Sequence, residues 1–491
     1  MIQESIKIHD KYQFEIKFSY EPEENCRKTK YTSEIYIFIP KSIGLSRENY
    51  TKTQFYEDVK SYIRLKTPLI LLRNLYGKNS PLQELERSIE RLVESQNERN
   101  SSDFEYRIKM FCSILKSSLR DELIFLKNNI NMKDIEKNIS DFLENLKDLS
   151  REFRKLSKKI KVASMNQKYI NLYNFADEYL SIISNESRHE LFELLEKNDI
   201  KKRNSLIEEL TEQAKEEIIY RKESNYPSIP SEEHDNEEII FRKSALKKLM
   251  GRILFLHNIT KSEGKLIEQL LFGLSAGIAM AFATSIAFMS RTRLGEFSLF
   301  FFLLMVIAYI FKDRMKEIMK IYFSNLVRKF FADKRTKIYT NLGQKIGIIR
   351  ESFSIFSDEK ISPEISKIRD RDFISGVHEG AYGEYVLFYR KDITLYSEKF
   401  KTVFPGFQIN GINDITRVNI FRFLRNMDNP YEDVFIPKKN SYVRVSGSRV
   451  YHFNIIIKSI ISTGKSKIQR IRLVLTREGI KRIEEVFSLK N

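Results

Sequence analysis

Apolar and polar residues alternate near the start of the chain. Phe14, Ile16, Phe18 and Tyr20 point one way and Glu15, Lys17 and Ser19 the other, the period of two that marks a half-buried strand. Lys30–Ile39 reads as a second strand, closed by Pro40. Phe55, Val59, Tyr62 and Ile63 share one face of an expected helix over Thr53–Leu65, so residues 1–75 are expected to form a small α+β unit.

The period then changes to that of helices. Ser80-Pro81-Leu82-Gln83 is a capping box with proline at the first helical position, and Leu82, Leu85, Ile89 and Leu92 follow on one face. Phe104–Leu126 continues in the same manner. Ile135, Ile139, Phe142, Leu146, Leu149, Phe153, Leu156 and Ile160 recur in alternating steps of four and three, a heptad seam. It suits an antiparallel bundle within the chain or a coiled coil between chains. Further helices are expected near Tyr169–Leu195 and Ser205–Tyr220, which makes 80–223 a helical bundle. Residues 224–238, with Pro227, Pro230 and several acids, read as a linker. Over 239–266, Leu246, Leu249, Ile253 and Leu256 form one face and Lys243, Lys247, Lys248 and Arg252 the other. That is a basic amphipathic helix suited to a membrane surface or to the side of a soluble domain.

Next comes the most apolar part of the chain. Gln269–Ser290 is uncharged, and at about 1.5 Å per residue such a helix crosses the roughly 30 Å hydrocarbon layer. Leu294–Phe311 is shorter and contains Glu296, with Arg293 and Lys312 placed to snorkel; a re-entrant or interfacial segment is the rival reading for it. Only Arg291–Gly295 separates the two runs, so residues 267–312 are expected to form a transmembrane hairpin. Gly273, Gly277, Ala281 and Ser285 lie every fourth position on one helix face. They suit close packing either on the second helix or on another protomer. Residues 313–342 are expected as a cytoplasmic stalk helix, since Met315, Ile318, Tyr322, Leu326 and Phe330 extend an apolar stripe. Residues 352–491 return to strands at Tyr385–Tyr389, Ile393–Tyr396, Tyr442–Val445, Tyr451–Ile457 and Ile468–Leu475, with helices at Asp414–Met427 and Arg477–Phe487, a basic α+β domain. The fold class is therefore an α+β multidomain integral membrane protein.

Charge sharpens this picture. The 491-residue chain carries a net charge of +18. Residues 1–238 hold 40 Lys/Arg against 43 Asp/Glu, while residues 239–491 hold 44 against 23, so the whole excess lies in the membrane-proximal and C-terminal parts. Lys261 and Lys265 precede the apolar runs and Lys312, Arg314, Lys316, Lys320, Arg328 and Lys329 follow them. Arg291 and Arg293 stand in the turn. The bias places both termini in the cytoplasm, the chain crossing an inner or plasma membrane twice. The first fifteen residues lack the apolar run of a cleavable signal, and two cysteines, Cys26 and Cys112, fit a reducing compartment.

Motifs with known chemistry fail on inspection. Gly464-Lys465-Ser466 lacks the upstream glycine and the following helix of a phosphate loop. Glu379–Glu384 lacks the first glycine and the downstream motifs of a kinase. The six histidines form no metal-ligand spacing, and no serine-hydrolase elbow occurs. No catalytic, cofactor or metal residues are expected. Lys312, Arg314, Lys316, Lys320, Lys465, Lys467, Arg470 and Arg472 are candidates for contact with lipid headgroups or nucleic acid. Tyr442, Tyr451 and Phe453 keep a single-stranded nucleic acid open as a partner of the C-terminal domain. The expected function is a membrane-anchored cytoplasmic scaffold or sensor, with lipids and a protein partner or self-association through helices. The alternatives are an oligomeric effector whose hairpins permeabilise the bilayer, and an enzyme with an unfamiliar C-terminal site.

Overall fold

The computed structural model describes all residues except 1, 24–25, 47, 199, 233–234, 295–298, 341–342, 358–360, 370–382, 404–406, 408, 462–463, 465 and 491. For 2–4, 291–294, 301, 328, 401–403 and 487–490 it describes the backbone alone. In chain order the first elements are β1 (Ile2–Asp10), β2 (Gln13–Tyr20), β3 (Lys28–Pro40), α1 (Lys52–Asp58) and β4 (Val59–Leu65). Helices follow: α2 (Pro81–Glu94), α3 (Glu98–Asn128), α4 (Ile135–Lys155), α5 (Ser157–Ile160), α6 (Gln167–Glu196), α7 (Arg203–Glu223) and α8 (Glu237–Gly251). Strand β5 (His257–Lys261) leads to the long helices α9 (Lys265–Leu294) and α10 (Leu299–Phe330). The chain then forms β6 (Lys334–Tyr339), β7 (Lys345–Ser357), α11 (Pro363–Arg369), β8 (Glu384–Tyr396), α12 (Ser397–Val403), β9 (Ile412–Asn419) and α13 (Phe421–Leu424). It closes with β10 (Tyr431–Lys438), β11 (Ser441–Ser448), β12 (Tyr451–Ile461), β13 (Ser466–Thr476) and β14 (Gly479–Lys490).

These elements make a mixed α+β protein of two compact units. One comprises Met1–Tyr62, His257–Lys399 and Asn413–Asn491; the other comprises Ile63–Leu256 and Phe400–Ile412. The first unit holds an eight-stranded sheet of order β14-β13-β12-β3-β8-β7-β6-β5 and a four-stranded sheet of order β1-β2-β9-β4. The separate expectations for 1–75 and 352–491 are corrected here. Strand β3 sits between β8 and β12, pairing Ile37 with both Leu387 and Ile455. Its residues Ile35 to Ile39 are buried on both faces, the signature of a central strand.

A buried charge cluster joins the two sheets. Lys391 on β8, with no exposed surface, donates to Asp414 (2.7 Å) and Thr416 (2.7 Å) on β9 and to Ser61 (2.9 Å) on β4. Burial pushes the Asp414 carboxyl upward, and the Lys391 ammonium opposes that shift. Strand β9 replaces the first part of the helix expected at Asp414–Met427, of which α13 keeps one turn, and the C-terminal β14 replaces the helix expected at Arg477–Phe487. Pairing with neighbouring strands overrides a three-residue apolar spacing in both. Likewise Thr53–Leu65 divides into α1 and β4, with Thr51 forming a complete capping box on Gln54.

The second unit is the helical bundle. The heptad residues from Ile135 to Phe153 are all buried on α4, as are Leu156 and Ile160 beyond it, within the chain. Ser80 caps α2 at the Gln83 amide (3.2 Å). Residues 224–238, expected as a linker, are tied in by Tyr226, whose hydroxyl donates to buried Asp177 (2.7 Å). Helix α8 packs within this unit too. Leu246 and Met250 are buried, and Arg242 grips Glu178 at 2.8 Å.

Candidate membrane-inserting hairpin

Between Lys265 and Phe311 the described residues contain no proline and few charges, so the backbone satisfies itself as helix. Among the described residues, one helix, Lys265–Ser290, is long and apolar enough to cross a membrane. The described apolar part of α10, Leu299–Phe311, reaches only about 20 Å at helical rise. The expectation of two complete spans is thus supported for the first helix alone.

The two helices run antiparallel against each other. At their base the Ser324 hydroxyl donates to Glu268 at 2.8 Å. Equal steps along each helix from that bond bring Ala281 level with Phe311 and Ala279 level with Asp313. The apolar lengths of the two helices are therefore out of step. The tip half of α9 lies beside apolar α10, and the root half lies beside Lys312, Lys316 and Lys320.

The seam is built from Ser275, Ala279 and Ser290 on α9 and Ala308 and Val327 on α10, all buried. Gly273, Gly277, Ala281 and Ser285 face away from it. A side chain built at Gly273 or Gly277 would meet nothing within 4 Å. Two residues at about 100° each turn the helix roughly 200°, which puts this stripe opposite the Ser275–Ala279 face. Packing of the stripe on the second helix, one of the two readings of it, is therefore not what the hairpin uses.

Outside the seam the hairpin is apolar and uncovered. Only 11% of the most apolar window of α9 is buried. Leu266, Leu270, Leu274, Phe282, Phe288, Leu299, Phe302, Ile307 and Ile310 are all exposed, and more than half of the exposed large apolar side chains among the described residues belong to α9 and α10. Each hydroxyl in the apolar run donates back to its own helix. Ser275 reaches Leu271 O (2.7 Å), Thr284 Met280 O (3.0 Å), Ser285 Ala281 O (2.8 Å) and Ser290 Ile286 O (2.6 Å). These four hydroxyls are satisfied within the helix and need no water.

The hairpin is rooted in the sheet. Strands β5 and β6 pair antiparallel from His257↔Tyr339 to Lys261↔Arg335, so the helices are an insertion in the turn of a β-hairpin. Gly264, at φ +83°, turns the chain into α9, and a Cβ there would lie 3.0 Å from both Val327 and Phe331. Glu263 ties this corner to Arg350 (3.1 Å) and Arg335 (3.5 Å). On the return side Asp333 accepts from Lys52 (2.6 Å), Tyr56 (3.2 Å) and the Phe353 amide (2.7 Å). The expected stalk ends at Phe330, because this clamp starts a strand at Lys334.

The cationic candidates fall into three groups. Lys312, over the Tyr309 ring at 3.9 Å, and Arg314, Lys316 and Lys320 follow the apolar run of α10, with Lys320 paired to Glu317 at 3.1 Å. Lys467 lies on β13, and Lys465 is outside the described residues. Arg470 and Arg472 are buried, which removes them from any surface. Arg470 donates to Asn454 (3.0 Å) and to Ile368 O (2.8 Å), and Arg472 pairs with Glu484 (3.3 Å). Tyr451 and Phe453 are also buried, whereas Tyr442 is exposed. The clamps Glu263 and Asp333 were not legible in sequence; their partners lie far away along the chain. The chain matches no family model, no curated protein and no solved structure.

Proposed function

We propose that this protein is a membrane-attached scaffold or sensor, held to a bilayer by the α9–α10 hairpin. The observation that carries this reading is the hairpin's uncovered apolar surface, combined with hydroxyls that close on their own helices. A soluble core helix of this composition would be covered by protein, and lipid is the solvent that leaves such a surface stable. The short apolar length of α10 fits a hairpin that thins the bilayer locally, with Lys312 and Lys316 reaching to headgroups at the root. Both helices return to the β5–β6 pair, which fits both soluble units lying on one side, the cytoplasmic side by the distribution of Lys and Arg. Membrane fractionation tests the reading. The full chain should sediment with membranes and resist alkaline carbonate; recovery as a well-behaved soluble species without detergent would overturn it.

A second reading, an oligomeric membrane effector, is favoured by the outward Gly273–Ser285 stripe. Small residues on a lipid-facing surface let a second helix approach closely. Crosslinking in native membranes should give a dimer or higher species that Gly273→Leu with Gly277→Leu abolishes. Unchanged crosslinking in that variant would leave the stripe without a role in assembly.

A further inference from the structure

The helical unit contains a half-open cavity of about 490 Å³ between α3, α6 and α8, with Arg64 and Phe255 also in its lining. Its volume is in the range of small-molecule sites, about 300–1,000 Å³. One wall is apolar, made by Leu119, Leu123, Ile183 and Leu254, all buried.

Positive charge lies beside this apolar surface, Lys116 and Arg120 alternating with Leu119 and Leu123 along α3 and Lys247 and Lys248 coming from α8. Arg64, Lys116, Arg120, Lys247 and Lys248 line the cavity against two carboxylates, Glu186 and Glu190. Glu186 is already engaged by Lys243, and Arg120 is held by Asp121 at 2.7 Å. Among the described residues no carboxylate lies within 4.0 Å of Lys116, Lys247 or Lys248. Lys116 lines the cavity with its side chain partly open to solvent. Burial pushes its ammonium down to about 8, Lys247 adds to that, Glu186 opposes it, and Lys243 and Arg64 lower it further. Five convergent cations outnumber the two carboxylates beside them, an arrangement that a polyanion would stabilise.

We propose that this cavity binds a phosphorylated small molecule, its phosphates on Lys116, Lys247 and Lys248 and its flat organic part against the Leu119–Leu254 wall beside Phe255. A nucleoside polyphosphate is the chemical class that joins these two halves at this volume. Clustered phosphates also occur on inositide headgroups, so the source is decided by experiment. The inference does not depend on membrane attachment.

The test is equilibrium binding to the full chain in detergent, with ATP, inorganic tripolyphosphate and vesicles containing phosphatidylinositol bisphosphate as probes. ATP should bind saturably and more tightly than tripolyphosphate, because only ATP uses the apolar wall. Lys116→Met with Lys247→Met should weaken it by at least about ten-fold, near 1.4 kcal/mol, with an unchanged circular dichroism spectrum. Lys116→Arg should retain it. Binding of the vesicles and not ATP, lost in the same double variant, would assign the phosphates to lipid. Absence of saturable binding by all three probes, or a double variant within about two-fold of the native chain, would overturn the proposal.

Discussion

Two lysines show how the same side chain is used in opposite ways. Lys391 is fully enclosed, but Asp414, Thr416 and Ser61 meet all its donors, so its charge joins two sheets. Removing one partner of such a pair strands the other charge, at a cost of about 3–5 kcal/mol. Lys391→Met should therefore lower stability by about that amount in chemical denaturation followed by circular dichroism, and Lys391→Met with Asp414→Leu should recover much of it. Lys116 has no such partner. Its folded value near 8 lies below the roughly 10.4 of an unfolded lysine, so the unfolded chain holds more protons between these values and stability rises with pH across that window. Below it, both states are charged and the folded state carries the cost of partial burial first and then the repulsion from Lys247, Lys243 and Arg64, eased by Glu186. Lys116→Met should therefore melt above the native protein near pH 7, with the gap closing toward about pH 10. Identical melting at both values would mean that the Lys116 charge carries no such cost in the folded chain.

At the scale of elements, the hairpin makes a sharp distinction between neighbouring small residues. Ala279 is buried in the seam, whereas Ala281 faces outward. Ala279→Leu should force the helices apart, costing about 1–3 kcal/mol as overpacked sites do, while Ala281→Leu should be neutral within the hairpin. Protease resistance of the hairpin in detergent separates the two; equal sensitivity would contradict the seam. Gly264 belongs to the same argument. Its left-handed φ and the close approach of Val327 and Phe331 leave no room for a side chain, so Gly264→Val should loosen the α9 corner and expose the Ser262–Lys265 peptide to cleavage. The heptad of α4 was fully legible, because a helix in a bundle writes its buried face at its own period. Strand β14 was not. The run from Gly479 to Phe487 has apolar residues three apart, as a helix would, and only pairing with β13 makes it a strand.

At the scale of the molecule, the β5–β6 pairing means that the membrane hairpin is an insertion. Replacing 265–330 with a short glycine-rich turn, which keeps Glu263 and Asp333, should give a protein that remains in the supernatant with its sheet content intact. Loss of folding on that replacement would show the helices to be part of the core instead.

Local pattern alone determined the helices of the bundle, where the chain is too apolar for water, and that its excess charge lies in the second half of the chain. These properties depend on residues within a few turns of each other, and no distant partner is needed to state them. Tertiary structure alone decided that β3 is the centre of a sheet otherwise built from residues beyond 256, that Arg470 and Arg472 are core residues, and that Lys116 shares a cavity with Lys247. Pairing and burial between segments hundreds of residues apart leave no periodic trace in either segment, because each contributes only half of the contact.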